Sequence, residues 1–178
     1  KRGMSCRSHG ICRDFKEREK MNSHYYEMND LGFNYRLPDV LCALGISQMN
    51  KLDQFITRRN EIAKKYDLFF EKHKEYIEPL KNYYDNAYHI YVVKLNLEKI
   101  EKSRDDVFKK LKEAKIGANV HYMPIYLHPY YQGLGYKKGL CPESEKIYEQ
   151  IITLPMFPLL KDIEIDYVCE KIIGIILN

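Results

Sequence analysis

The sequence predicts a small α+β or α/β layer domain, preceded by two helices. Three observations carry this. Apolar residues recur at helical spacing between positions 38 and 72. From about residue 76 the texture switches to short β-branched and aromatic runs alternating with helical stretches. One of those stretches carries its own start and stop signals, Ser103 before Asp105 and Asp106, and Gly117 after Lys112 and Lys115.

In chain order, residues 1–30 show no clean period and mix Ser, Asn and charge. Pro38 opens the first helix, because its missing N–H costs nothing in a first turn; Val40, Leu41, Leu44 and Met49 recur behind it. The second helix, 52–72, aligns Leu52, Phe55, Ile56, Ile62, Ala63, Tyr66, Phe69 and Phe70 on one stripe. Arg58, Arg59, Lys64, Lys65 and Lys72 read as its solvated face. Residues 87–95 read as an interior strand, apolar on both faces, with His89 as a core histidine. The Ser103 helix follows. Then comes a short strand, 118–122, with Ala118, Val120 and Tyr122 on one face and Asn119 and His121 on the other; Pro124 ends it. A helix over 143–151, a strand over 152–154 and a closing helix over 163–177 complete the order.

The 178 residues suit one domain, or one domain and part of another, and 45% hydrophobic content excludes wholesale disorder. No apolar run approaches the roughly 20 residues of a membrane-crossing helix, and no signal-peptide core is seen, so the expectation is a soluble cytoplasmic protein. The net charge of +4 is local. Residues 1–20 hold Lys1, Arg2, Arg7, Arg13, Lys16, Arg18 and Lys20 against Asp14, Glu17 and Glu19, and the remainder is balanced. One basic terminus is not the basic stripe of a nucleic-acid binder. Five cysteines at scattered spacings form no zinc knuckle; with no carboxylates locally beside His121 and His128, no metal site is expected.

Phosphate loops, His-x-x-x-His pairs and nucleophile elbows are missing. The informative segments are polar and aromatic: Arg7-Ser8-His9-Gly10, Gly32-Phe33-Asn34-Tyr35-Arg36 and His121-Tyr122-Met123-Pro124-Ile125-Tyr126. Asn34 and Arg36 stand just before a helix N-terminus, whose unpaired amides favour an anion; the alternative is that Asn34 supports a turn and Arg36 is solvated. His121 with Tyr122 and Tyr126 offers a donor and flat apolar surfaces suited to a sugar or nucleotide, or simply a core.

Gly32-Phe33-Asn34-Tyr35-Arg36-Leu37-Pro38-Asp39, then Ala43-Leu44-Gly45, Gln48 and Leu52-Asp53, resembles the DegT/DnrJ/EryC1/StrS family of pyridoxal-phosphate sugar aminotransferases. The Arg7–Gly10 and His121–Tyr126 segments fit the same alignment. In the tail, His128-Pro129-Tyr130-Tyr131, Leu134-Gly135-Tyr136, Cys141-Pro142, Leu154-Pro155-Met156-Phe157-Pro158 and Asp166-Tyr167-Val168 resemble its UDP-4-amino-4,6-dideoxy-N-acetyl-β-L-altrosamine transaminases, of pseudaminic acid synthesis.

The resemblance implies the C-terminal portion of a fold-type I pyridoxal-phosphate transferase. Residues 1–36 would end the large domain, 37–75 would be a connecting helix pair, and 76–178 the small domain. It implies a homodimer that passes an amino group, usually from glutamate, to a 4-keto nucleotide sugar. The residue matching Asn34 meets the cofactor phosphate of the opposite subunit, with Arg36 beside it; His9, Tyr35, His121, Tyr122 and Tyr126 are candidates for substrate. His9 otherwise caps a turn before Gly10. The family's Schiff-base lysine lies upstream of the Arg-Ser-His-Gly segment. Lys1 lacks its Ser/Thr-rich surroundings, so these residues alone are expected to be inactive. Two rivals are a non-catalytic sensor or interaction protein and a nucleotide-sugar-binding module.

Overall fold

The computed structural model describes residues 2–12, 27–80 and 85–178; Lys1, Arg13, Lys16, Arg18 and Lys20 of the basic segment lie outside them. Two units emerge, Lys1–Lys51 and Leu52–Asn178.

In the first, helix α1 (Arg2–Cys6) is a single turn followed by strand β1 (Ile11–Cys12), which pairs antiparallel with β2 (Glu27–Met28). Ser8 forms a bridge with Asn34. Around it Phe33 N–H donates to Cys6 O (2.7 Å), His9 N–H to Phe33 O (2.9 Å) and Tyr35 N–H to Arg7 O (3.0 Å). Glycine permits the close approach. A Cβ on Gly10, at φ +70°, would lie 1.6 Å from the Asp30 carbonyl oxygen, and one on Gly32 2.1 Å from Gly10 N. Helix α2 (Asp39–Met49) starts after Pro38 as the sequence predicts, yet all its residues are exposed, Val40, Leu44 and Met49 included.

The second unit is built on helix α3 (Leu52–Phe70), extended by a 3-10 turn over Glu71–His73. Strands β3 (Ile77–Pro79), β4 (Tyr91–Leu95) and β5 (Ile151–Leu154) form an antiparallel sheet in that order, with Ile77 opposite Leu95 and Val92 opposite Thr153. The intervening helices are α4 (Arg104–Glu113), the short α5 (Pro129–Gly133) and α6 (Pro142–Gln150); α7 (Asp162–Leu177) closes the chain. The core joins Ile62, Tyr66 and Phe70 of α3 to Val93 and Leu95 of β4, Val107 and Leu111 of α4, and Ile165 and Ile172 of α7. Burying each such side chain is worth about 1.5–3 kcal/mol, so this cluster holds three helices to the sheet.

The expected α+β class is present, with local differences. Only Tyr91–Leu95 of the predicted 87–95 strand forms, because Tyr88 is left-handed (φ +47°) and the Arg59 guanidinium takes the Tyr88 and His89 carbonyls (2.7 and 3.3 Å). His89 is therefore exposed, not a core histidine. The Ser103 cap is a full capping box with Asp106, but Glu113 ends α4 ahead of Gly117: Lys115 turns left-handed (φ +60°) and the Ile116 amide bonds back to Leu111 O. The predicted 118–122 strand contributes one bridge, Asn119 to Thr153. Strand β3 and helices α1 and α5 carry no periodic signal long enough to read. Nor are Arg58 and Arg59 a solvated face. Both are half-buried, Arg58 reaching Leu160 O and Asp162 Oδ1 at 2.7 Å each.

Candidate functional site

A cleft of about 530 Å³ in the second unit opens beside β5. Its floor is Leu154-Pro155-Met156-Phe157, pinned from below. Tyr66 Oη–H donates to Pro155 O (3.1 Å) and an Arg59 Nη1–H reaches Met156 O (3.2 Å). Tyr167 of α7 lines another side, its hydroxyl donating to Ala114 O at the end of α4 (3.2 Å). His89, Lys115, Asn119, His121 and Glu164 supply the polar lining.

His121 is brought here by the Asn119 bridge. Asn119 N–H donates to Thr153 O (3.0 Å) and Thr153 N–H to Asn119 O (2.7 Å). Two residues on, His121 Nδ1 lies 2.9 Å from Thr153 Oγ1, a buried hydroxyl within an otherwise apolar strand. Sequence reasoning missed Thr153 and Arg59. The lone Thr of Ile151-Ile152-Thr153-Leu154 was a signal, since a polar residue in a buried strand needs a partner.

Tyr122 lies edge-on to the His121 ring, centroids 4.5 Å apart, and is mostly exposed; neither it nor Tyr126 lines the cleft. The Tyr126 hydroxyl donates to Glu145 Oε1 (2.8 Å) and accepts from the Cys141 amide (3.3 Å), and the Gly139 amide donates to the same Glu145 oxygen (2.6 Å). Burial first, then the Glu145 carboxylate, pushes the Tyr126 phenol up to about 12. Glu145 moves the other way: the Tyr126 hydroxyl above all, then the Gly139 amide, holds it below the usual carboxylate range. This network ties the 126–141 loop to α6.

In the first unit the ladder joins the Arg7–Gly10 and Gly32–Arg36 segments, which the sequence shows as separate clusters. His9 is exposed at φ +65°, its amide spent on Phe33 O, and Asn34, Tyr35 and Arg36 are exposed together. Phe33 and Tyr35 stack (4.9 Å, 7°) on alternate positions around Asn34. The Asn34 amide makes no side-chain hydrogen bond among the described residues, and Pro38 caps α2 without one. Asp39 in the first turn of α2 already offsets the helix dipole, so an anion here would depend on side-chain donors such as Asn34 and Arg36. One side-chain amide, on backbone held by the Ser8 bridge, and one guanidinium are donors of the kind that bind anionic oxygens. Among the described residues no group of His, Cys, Asp or Glu is arranged to hold a metal, and no helix is long and apolar enough to cross a membrane.

Residues 1–173 match the DegT/DnrJ/EryC1/StrS aminotransferase family. An uncharacterised protein of Methanocaldococcus jannaschii is 38% identical over 88% of this chain and 41% of its own length. The UDP-4-amino-4,6-dideoxy-N-acetyl-β-L-altrosamine transaminase of Campylobacter jejuni is 36% identical over 84% of this chain and 38% of its own. Among solved structures, Helicobacter pylori PseC, an aminotransferase involved in pseudoaminic acid biosynthesis, superposes with a TM-score of 0.80 at 27% identity, covering 98% of this chain and 45% of that one. Other matched structures were solved in PLP and PMP forms. The chain thus spans about two fifths of the length of the curated relatives it matches.

Proposed function

The chain belongs to the DegT/DnrJ/EryC1/StrS aminotransferase family, and from that premise we propose that the full-length protein is a pyridoxal-phosphate sugar aminotransferase. Its reaction moves an amino group from glutamate to a 4-keto nucleotide sugar, UDP-linked, for surface polysaccharide or pseudaminic acid synthesis in the cytoplasm. The observation that carries this is the continuous match over residues 1–173, supported by the names of the relatives. Residues 1–36 end the large cofactor domain, 37–75 connect, and 76–178 form the small domain of a homodimer.

When bound, the cofactor supplies the electron sink that amino transfer needs. This chain's residues bind and orient. Asn34 donates its side-chain amide N–H to a phosphate oxygen across the dimer interface, its backbone held by the bridge to Ser8. Arg36 neutralises that phosphate. His121 hydrogen-bonds an oxygen of the nucleotide sugar, and the Leu154–Phe157 segment gives the cleft an apolar floor. His9 and Tyr35 in the first unit are further candidates for substrate contact, and Tyr122 and Tyr126 act in the second unit from outside the cleft. Tyr126 contributes by anchoring the 126–141 loop through Glu145.

Two substitutions in the full-length protein test the division of labour. Losing one hydrogen bond to a charged phosphate costs about 1.5–3 kcal/mol, so Asn34→Ala weakens cofactor affinity roughly ten- to a hundredfold and spares sugar binding. His121→Ala raises KM for the nucleotide sugar and spares cofactor affinity. Mixed dimers pair Asn34→Ala subunits with subunits lacking the Schiff-base lysine. A site acting in trans is restored in them; cofactor retention no better than in the Asn34→Ala homodimer refutes the cross-subunit assignment.

A further inference from the structure

Resting on the reading of His121 as a sugar-nucleotide contact, the geometry points to Thr153 as its positioning residue, one that locks the imidazole as the tautomer protonated at Nε2. Thr153 is 5% exposed, and its hydroxyl makes one hydrogen bond among the described residues, to His121 Nδ1 at 2.9 Å. A buried hydroxyl whose hydrogen has no acceptor carries the cost of an unmade bond. If Nδ1 bore the proton, imidazole and hydroxyl would both bring hydrogens to this contact and the Thr153 hydrogen would find no acceptor. If Nδ1 is bare, it accepts from Oγ1–H and the group is satisfied. The neutral ring then carries its proton on Nε2, which has no partner among the described residues and belongs to a side chain lining the cleft.

The base beneath this contact is rigid. Thr153 is registered with Val92 of β4 on one side and bridged to Asn119 on the other, so its backbone is held on both sides beneath the Oγ1–Nδ1 contact. Asn119 lies two residues from His121, so one short backbone segment carries both the bridge and the imidazole. His121 thereby offers the cleft a donor and no acceptor. Its partner on the ligand is an acceptor oxygen: a carbonyl, a phosphate oxygen or a hydroxyl lone pair. A 4-keto nucleotide sugar has all three, and an amino-substituted position presenting only N–H⁺ is disfavoured at this point.

The test uses the full-length protein labelled with 15N at histidine, the His121 signals being assigned by their loss in His121→Gln. In the parent and in Thr153→Ser, Nδ1 resonates as a bare imine nitrogen and Nε2 as a protonated one; in Thr153→Val, which keeps volume and removes the hydroxyl, this preference is lost. In parallel, Thr153→Val raises KM for the nucleotide sugar about three- to tenfold with kcat unchanged, the worth of one neutral hydrogen bond, and Thr153→Ser restores it. A parent protein with Nδ1 protonated overturns the assignment, as does an unchanged tautomer in Thr153→Val. A KM raised in His121→Ala but not in Thr153→Val refutes Thr153 alone. An unchanged KM in His121→Ala refutes the sugar-contact reading itself.

Discussion

Replacing Arg59 by Met removes the guanidinium that ties α3 to the cleft while keeping most of the aliphatic stem. Arg59 Nη1 faces three carbonyls, Tyr88 O at 2.7 Å, Met156 O at 3.2 Å and His89 O at 3.3 Å. One nitrogen has two hydrogens, so three acceptors amount to two bonds, one strong and one shared. A hydrogen bond to a charged group is worth about 1.5–3 kcal/mol; taking the short one near 2 and the shared one near 1 gives about 3 kcal/mol. Arg59 is half-buried and water reaches some of these carbonyls, so the expected loss is about 2–3 kcal/mol. The assay is urea unfolding of the chain followed by circular dichroism, with a lower midpoint and an unchanged slope. Arg59→Lys should fall between, since its ammonium sits about one bond short of the Nη1 position and reaches the Tyr88 and Met156 carbonyls less well. A loss below about 0.5 kcal/mol, the scale of an ordinary surface substitution, would refute the view that Arg59 holds the β4 approach and the cleft floor together.

Three further outcomes follow from the same geometry. Lys65 first, then Arg58, holds the Asp162 carboxyl below its usual value, so the folded state resists its protonation. The stabilisation is present above about pH 4, the unfolded carboxyl range, and is lost as pH falls through the folded value; Asp162→Asn should lose less stability than the parent between pH 7 and 3 in parallel denaturation curves, and equal losses would contradict this. Burial pushes the Cys169 thiol up to about 12, so iodoacetamide at pH 8 should label exposed Cys141 in the native chain and Cys169 only after unfolding, as mass spectrometry reads directly. The bare apolar residues of α2 should make these 178 residues bind a hydrophobic dye that the full-length protein does not, and equal dye fluorescence from the two would argue that the α2 face stays open.

Element types with long periodic signals were legible in the sequence. Asp39–Met49, Leu52–Phe70, Pro142–Gln150 and Asp162–Leu177 lie within one or two residues of expectation, and the Ser103 box was readable from charge order. What escaped depends on groups far apart in the chain. Tyr88 and Ile90 make the start of the 87–95 run look β-prone, but Arg59, some thirty positions earlier, captures the Tyr88 and His89 carbonyls, and no local pattern announces that. Basic residues on a helix look solvated until the backbone they reach is known, which is why Arg58 and Arg59 read as surface. At the site, the polar-aromatic segments were visible, whereas the pairing of Arg7–Gly10 with Gly32–Arg36 required two glycines whose close approach is a tertiary fact. His121 stood out by residue type. The hydroxyl that orients it lies thirty-two positions away.

Amino transfer itself is the most direct test of the account. The full-length protein, purified with its cofactor, is treated with glutamate and then with a 4-keto UDP-sugar while the absorbance of the bound pyridoxal form is followed. The account predicts that glutamate abolishes that absorbance, that the keto sugar restores it with formation of one amino sugar per site, and that His121→Ala slows the second half at limiting sugar while leaving the first intact. A protein that holds the cofactor but shows no glutamate-dependent change, or one regenerated equally well by a simple keto acid and not by the nucleotide sugar, would contradict it.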